Sequence, residues 1–187
     1  PVFPLGLAYL AEVLKEGGYR TEVLDLCFSE EPSIDLRDTL QRFQPNLVGL
    51  SIRNLDNLTY PTSVSYLKEV EEVLQVCRQT TSAKLIIGGS GFSLAPKELL
   101  QHFDVDFGIV GEGEEIFLQL VKSLERGTPV SPSSHLLIKG DSFPVSMGGA
   151  RVFPIKAPDR SLFDTRRYLE KGGMGNIQTK RGCPFSC

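Results

Sequence analysis

The chain has 187 residues, 41% hydrophobic and 23% charged, enough for one good core plus an appendage. A net charge of -3 supplies no basic field of the kind that holds nucleic acid by counterion release. No apolar run approaches the ~20 residues that span a bilayer, and the N-terminus has no basic stretch leading into an apolar signal core, so a cytoplasmic location is expected.

Periodicity predicts the elements in order. Leu7 to Lys15 places Leu7, Leu10, Ala11 and Leu14 on one helical face, and Gly17-Gly18 ends it. Tyr19 to Leu26 reads as a strand. Ser33 is expected to cap a helix over Ile34 to Phe43, broken by Pro45-Asn46. The apolar run Leu47 to Ile52 fits a strand buried on both faces. A long helix is expected to open at Thr62 or Ser63 and run to about Cys77, followed by a buried strand at Lys84 to Ile87. A short helix from Pro96 to about His102 leads to a strand at Phe107 to Val110, and Glu114 to Arg126 closes the series as an amphipathic helix.

Strands alternating with helices in this way predict an α/β fold: a Rossmann-like, flavodoxin-like doubly wound parallel sheet. Because the series starts on a helix, a first strand is expected ahead of Pro1. From Gly127 to Lys171 the alternation fails, and this stretch, with short apolar pieces such as Leu136 to Ile138, reads as a connector. Asn176 to Thr179 is a candidate new strand. The expected division is 1–126, 127–171 and 172–187.

In an open parallel sheet ligands sit outside the carboxyl ends of the strands. Each expected strand here is followed by a polar or glycine-rich loop: RNLDN (Arg53 to Asn57), GGSGFS (Gly88 to Ser93) and GEGE (Gly111 to Glu114). Glycines at 88, 89, 91, 111 and 113 suit a rim pressed against a large flat molecule. Tight strand-to-helix turns also use glycine, so one loop alone decides nothing; three at one edge favour a ligand. Glu112 and Glu114 suit a helix start, where the dipole favours carboxylates, and are poor evidence of acid–base catalysis. GGSGFS lacks the third glycine of a dinucleotide fingerprint. His102 and His135 have no companion of catalytic type and are read as surface or packing residues.

Two of the four cysteines, Cys27 and Cys77, read as isolated small hydrophobes. Cys183 and Cys187 differ: three residues separate them, within a loop made by Gly182, Pro184 and Ser186. Zinc ribbons more often use C-x-x-C, and thiolates at loop spacing also suit an iron–sulfur cluster. Spacing alone leaves both open.

The segment TKRGCPFSC resembles the opening of the cysteine loop of radical S-adenosylmethionine enzymes, C-x-x-x-C-x-x-C, with Cys183 and Cys187 matching the first two ligands of a [4Fe-4S] cluster. The third would fall three positions beyond Cys187. The upstream region is similar to the cobalamin-binding domain that precedes many such enzymes, on PLGLAYLAEVLKEGGYRTEVLDL, IIGGSGFS, VGEGEE and APDRSLFD. The resemblance implies a five-stranded cobalamin domain leading through the connector into the first strand of a partial barrel. Cobalamin contacts would come from Ser51, Arg53 and Asn54, from Gly88, Gly89, Gly91 and Ser93, and from Gly111, Glu112, Gly113 and Glu114.

D-x-H-x-x-G, which supplies an axial histidine in many cobalamin domains, is absent, so the lower face of cobalt is expected to lack histidine. In such enzymes cluster-bound S-adenosylmethionine is the radical source. The implied reaction is methyl transfer to, or other radical chemistry at, an unactivated carbon, with cobalamin commonly carrying the methyl group where one is transferred. An electron-donor protein and a small-molecule or natural-product substrate would be the partners of the full-length enzyme. These 187 residues are expected to bind cobalamin without completing a catalytic cluster. The alternatives are a stand-alone cobalamin carrier or sensor, or another nucleotide-binding α/β domain.

Overall fold

The strand KLIIG at Lys84–Gly88 sends Leu85 and Ile87 into one core and Ile86 into another. That is the two-residue strand period with both faces covered. The computed structural model describes residues 1–141, 157–173 and 175–179. Its strands are β1 (Leu47–Ser51), β2 (Lys84–Gly88), β3 (Phe107–Ile109) and β4 (Leu136–Ile138). Its helices are α1 (Leu5–Glu16), α2 (Pro32–Phe43), α3 (Leu67–Thr80), α4 (Pro96–Phe103), α5 (Glu114–Arg126) and α6 (Thr165–Glu170). Among the described residues these strands form one sheet in the order β1-β2-β3-β4. Val48 pairs with Leu85 and Ile86 with Phe107 in parallel, whereas Ile109 pairs with Leu136 antiparallel.

The two faces are covered by different helices. Leu36 and Leu40 of α2, Leu74 and Cys77 of α3, and Leu100 and Phe103 of α4 pack with Leu85 and Ile87. On the other face Leu120 of α5, with Ile116 and Phe117 beside it, packs on Ile86, Phe107, Ile109 and Leu136. The fold is thus Rossmann-like, with helices on both faces of a mostly parallel open sheet, as the alternation predicts. At the amino ends of the strands, Asp106 pairs with Lys84 at 2.7 Å and accepts the Leu85 N–H at 2.9 Å.

The described residues fall into two compact units, one within Leu24–Met147 and one within Pro1–Val23 together with Gly148–Cys187. The sheet belongs to the first. In the second, Phe3 lies edge-on to Phe163 and Tyr168 at 5.0 and 5.6 Å, and the Arg160 guanidinium stands 4.7 Å over its ring. Asp159 pairs with Lys15 of α1 at 2.9 Å, and its N–H donates to the buried Glu12. Asp164 caps α6 by accepting the Arg167 N–H at 3.0 Å. The segment APDRSLFD is therefore structural: its residues fasten α1 and start α6.

Several elements differ from the expectations. Residues 19–25 pair with no strand among the described residues, and Leu26–Phe28 form a 3-10 turn whose Cys27 N–H is held by Asp25. The alternating sequence supplies strand propensity, but a strand also needs a ladder. β1 is half-exposed rather than buried on both faces, because it is an edge strand with a single neighbour among the described residues. Helix α2 begins at Pro32, so Ser33 lies in the first turn and the cap position falls to Glu31. Proline at the first helical position loses no hydrogen bond and has a suitable φ. The long helix starts at Leu67, not at Thr62 or Ser63, because residues 55–66 fold into a hairpin-like loop.

Leu136–Ile138, one of the short apolar pieces of the expected connector, is a strand, and α6 also lies in that stretch. Three residues are too few to show a period, and β4 exists through its pairing with β3. Asn176 to Thr179 forms no strand, and Ile177 is exposed.

Candidate functional site

The carboxyl edge of the sheet carries three loops that are hydrogen-bonded into one rim. Past the end of β1, the Ile52 N–H donates to the Gly88 carbonyl at 2.8 Å, and the Gly91 N–H returns to the Ile52 carbonyl at 2.9 Å. Ser90 Oγ donates to the Arg53 carbonyl at 2.8 Å. Ser93 joins the second loop to the third: its hydroxyl donates to the Gly89 carbonyl at 2.9 Å and accepts the Gly111 N–H at 3.0 Å. An ordered rim loses little conformational freedom when a ligand arrives.

The glycines divide by role. A Cβ on Gly89, whose φ is +100°, would stand 2.5 Å from the Ile52 carbonyl oxygen; one on Gly91 would stand 3.1 Å from the Arg53 and Asn54 backbone. Both therefore owe their identity to the packing of one loop on the next. Gly111 is different. Its φ is +78°, it is exposed, and the nearest atom to a Cβ there is His135 Cδ2 at 3.9 Å. Sequence reasoning missed Gly108: a Cβ at this β3 residue would meet the Phe92 ring at 2.5 Å. Phe92, a member of the second loop, is fully buried, so Gly108 makes room for the side chain that anchors that loop in the core.

Ser51, Arg53 and Asn54 are exposed on the first loop; Gly88, Gly89 and Ser93 are half-buried and Gly91 buried on the second. Gly111 and Glu112 are exposed, whereas Gly113 and Glu114 are half-buried where α5 begins. Glu114, with Glu115, lies in the first turn of α5, where a carboxylate interacts favourably with the helix dipole. Among the described residues no hydrogen bond or ion pair engages the Arg53 guanidinium, which leaves its five N–H groups for a ligand. The structure thus brings the three groups of candidate residues to a single edge. Cys183 and Cys187 lie outside the described residues, and among those that are described no cluster of His, Cys, Asp or Glu could hold a metal.

One further residue joins the rim. Because β4 runs antiparallel to β3, His135 arrives opposite the end of β3, where its carbonyl accepts the Val110 N–H at 2.9 Å. Its Nδ1 lies 2.8 Å from Ser134 Oγ. The sequence placed His135 in a connector, and only the unforeseen β4 reveals its position. His102 instead sits on the helical surface, 2.7 Å from Glu71.

A family model described as B12 binding domain matches residues 1–121. The chain belongs to this B12-binding domain family. Over its whole length the chain is 25% identical to a tryptophan 2-C-methyltransferase from Streptomyces laurentii, covering 40% of that protein. It is 28% identical to the hopanoid C-3 methylase of Methylococcus capsulatus over 98% of this chain and 35% of that one. The B12-binding domain thus spans well under half the length of these relatives. A solved structure of the radical S-adenosylmethionine methyltransferase TsrM from Kitasatospora setae, with cobalamin and a [4Fe-4S] cluster bound, superposes with a TM-score of 0.71. That match has 29% identity and covers 75% of this chain and 27% of TsrM.

The rim suits the cofactor. Cobalamin is a broad, amide-fringed macrocycle with a phosphate-bearing tail, so it asks for an open edge with backbone donors, hydroxyls and a cation. This B12-binding domain offers exposed Gly111, Ser51 and the unengaged Arg53 on one ordered edge.

Proposed function

We propose that this chain is the cobalamin-binding portion of a radical S-adenosylmethionine enzyme, a methyltransferase acting on an unactivated carbon. Cobalamin lies over the carboxyl edge, held by Ser51, Arg53 and Asn54, by Gly88, Gly89, Gly91 and Ser93, and by Gly111, Glu112, Gly113 and Glu114. The observation that carries this reading is the hydrogen-bonded rim, in which Ser90 ties the second loop to the first and Ser93 ties it to the third, in a chain of the B12-binding family. Arg53 is suited to a phosphate or amide oxygen through charge-assisted hydrogen bonds. Gly111, exposed and in the left-handed region, lets backbone approach the ligand without a side chain between them.

When bound, cobalamin supplies a carrier for a methyl group, and the protein's part is to fix its orientation and limit water around it. Cys183 and Cys187 are proposed as the first two ligands of the cluster loop, with the third three positions further on. The proposed division is a cobalamin-binding domain over 1–126, a connector over 127–171 and the start of the radical domain from 172. Residues 1–187 would then bind cobalamin but supply two of three cluster thiolates.

Hydroxocobalamin mixed with the purified chain, followed by desalting and a visible spectrum, tests the reading. A retained corrinoid spectrum at one equivalent is the expected result. Loss of all corrinoid on desalting overturns it. A spectrum of histidine-ligated cobalt would overturn the expectation that no histidine coordinates the lower face, and His135→Ala would then identify the ligand.

A further inference from the structure

Immediately beyond the rim residues Arg53 and Asn54, the chain does not enter α3 but folds back on itself. Asp56 and Ser65 form an isolated antiparallel bridge, the Asn57 N–H donates to the Val64 carbonyl at 3.1 Å, and the Tyr66 N–H donates to the Leu55 carbonyl at 2.8 Å. The Asn57 side chain organises the interior of this loop. Its Oδ1 accepts the N–H groups of Val64 and Thr59 at 2.9 and 3.2 Å, and its Nδ2 donates to the Thr62 carbonyl at 3.3 Å. Asp56 accepts the Leu58 N–H at 2.8 Å.

This ordered loop displays apolar side chains rather than hiding them. Leu58 is 84% exposed and Tyr60 96%, and Leu58 holds a left-handed φ of +52°. That conformation is uncommon for a residue with a Cβ, least of all a bulky one. An ordinary solvent loop would place glycine or asparagine at such a position and polar residues at its tip. Two large apolar side chains are thus exposed on a turn braced by the Asn57 side chain.

We infer that Leu58 and Tyr60 form an apolar flank of the cobalamin site, contacting the methyl-bearing periphery of the corrin beside the polar rim. The inference rests on the assignment of the carboxyl edge to cobalamin. Two observations select the cofactor as occupant. The hairpin grows directly from Arg53 and Asn54, whose backbone is tied into the rim by Ser90 and packed against Gly91, so it stands at the same edge. It also falls within the residues matched by the B12-binding family model. A corrin presents methyl groups and amides around one ring, so a site that pairs Arg53 and hydroxyls with Leu58 and Tyr60 matches both.

The test compares hydroxocobalamin affinity of the unaltered chain with that of Leu58→Ser/Tyr60→Ala, followed by absorbance or fluorescence quenching at constant salt. Loss of two large apolar contacts is expected to weaken binding by about ten- to a hundredfold. Leu169→Ser, an exposed apolar residue on α6, should leave affinity unchanged. Far-UV circular dichroism and thermal midpoint should be unaltered in both variants, because neither Leu58 nor Tyr60 is buried. Equal affinity of the double variant and the unaltered chain overturns the inference. If the unaltered chain retains no cobalamin, the underlying site assignment has failed rather than this extension of it.

Discussion

A Cβ on Gly108 would stand 2.5 Å from Cζ and 2.9 Å from Cε1 of the Phe92 ring, with Leu100 Cδ1 at 3.2 Å behind. The strand residue and the ring are pressed together where the second rim loop meets the core. Phe92 cannot swing away, since it is fully buried among the helices of that face. Gly108→Ala should therefore destabilise the fold by about 1–3 kcal/mol through overpacking, seen as a lowered midpoint in urea. The displaced ring should also disturb Ser93 next to it and weaken cobalamin retention. A midpoint equal to that of the unaltered chain would show that the ring has somewhere else to go.

Ser93 is the joint of the rim. Its hydroxyl donates to the Gly89 carbonyl and accepts the Gly111 N–H. Ser93→Ala removes both bonds at a half-buried position, so a stability loss of about 1–2 kcal/mol is expected. Binding should suffer more than folding, because the second and third loops would no longer share a fixed geometry. Ser93→Thr keeps the hydroxyl and should recover part of the affinity. Titration with hydroxocobalamin, set beside urea unfolding of the same variants, separates the two effects.

The parts of this arrangement that are written locally in the chain were legible. Helix periodicity located α1, α4 and α5, and apolar runs located β1 to β3. The loops that end those strands were found because glycine and polar residues punctuate them. What escaped depends on pairing between distant residues. β4 is three residues long and exists through its ladder with β3, so His135 could not be placed beside Gly111 from sequence. Conversely, residues 19–25 have strand propensity and no partner among the described residues. The sequence places the start of the long helix at Thr62 or Ser63, both good caps, whereas those residues belong to the hairpin-like loop braced by the three side-chain hydrogen bonds of Asn57, which reach up to seven residues along the chain. Gly89 and Gly91 were singled out for ligand approach, and the structure gives them a nearer reason in the Ile52 to Asn54 backbone.

Asp106 ties the amino end of β2 to the start of β3. Partial burial works against its ionised form, but the Leu85 N–H and the Lys84 ammonium outweigh it and hold the carboxyl below its ordinary value of 3.8. A carboxylate depressed in the folded state stabilises the fold above its unfolded pKa, and the contribution disappears as pH falls through the folded value. Stability should therefore be flat near neutrality and decline below about pH 4, where the unfolded chain begins to take up the proton first. Asp106→Asn should flatten that acid limb and lower stability at pH 7. Urea midpoints measured from pH 7 down to pH 3 check this, and an unchanged acid limb in Asp106→Asn would move the cause elsewhere.

Cys27 and Cys77 should react very differently, although the sequence suggests the same role for both. Cys77 is buried in α3 between the helices and the sheet, and burial pushes its thiol up from 9.0, with Arg78 only partly opposing. Cys27 is exposed in the 3-10 turn that follows Asp25. Since the thiolate is the nucleophile, burial and the raised pKa both protect Cys77, whereas Cys27 is open to the reagent. Iodoacetamide at pH 8, read by peptide mass mapping, should label Cys27 within minutes and Cys77 only after urea is added. In native buffer the Cys77 rate should track opening of the core, so Gly108→Ala, which loosens that same face, is expected to accelerate it. Equal native rates at the two cysteines would contradict the packing of α3 on β2.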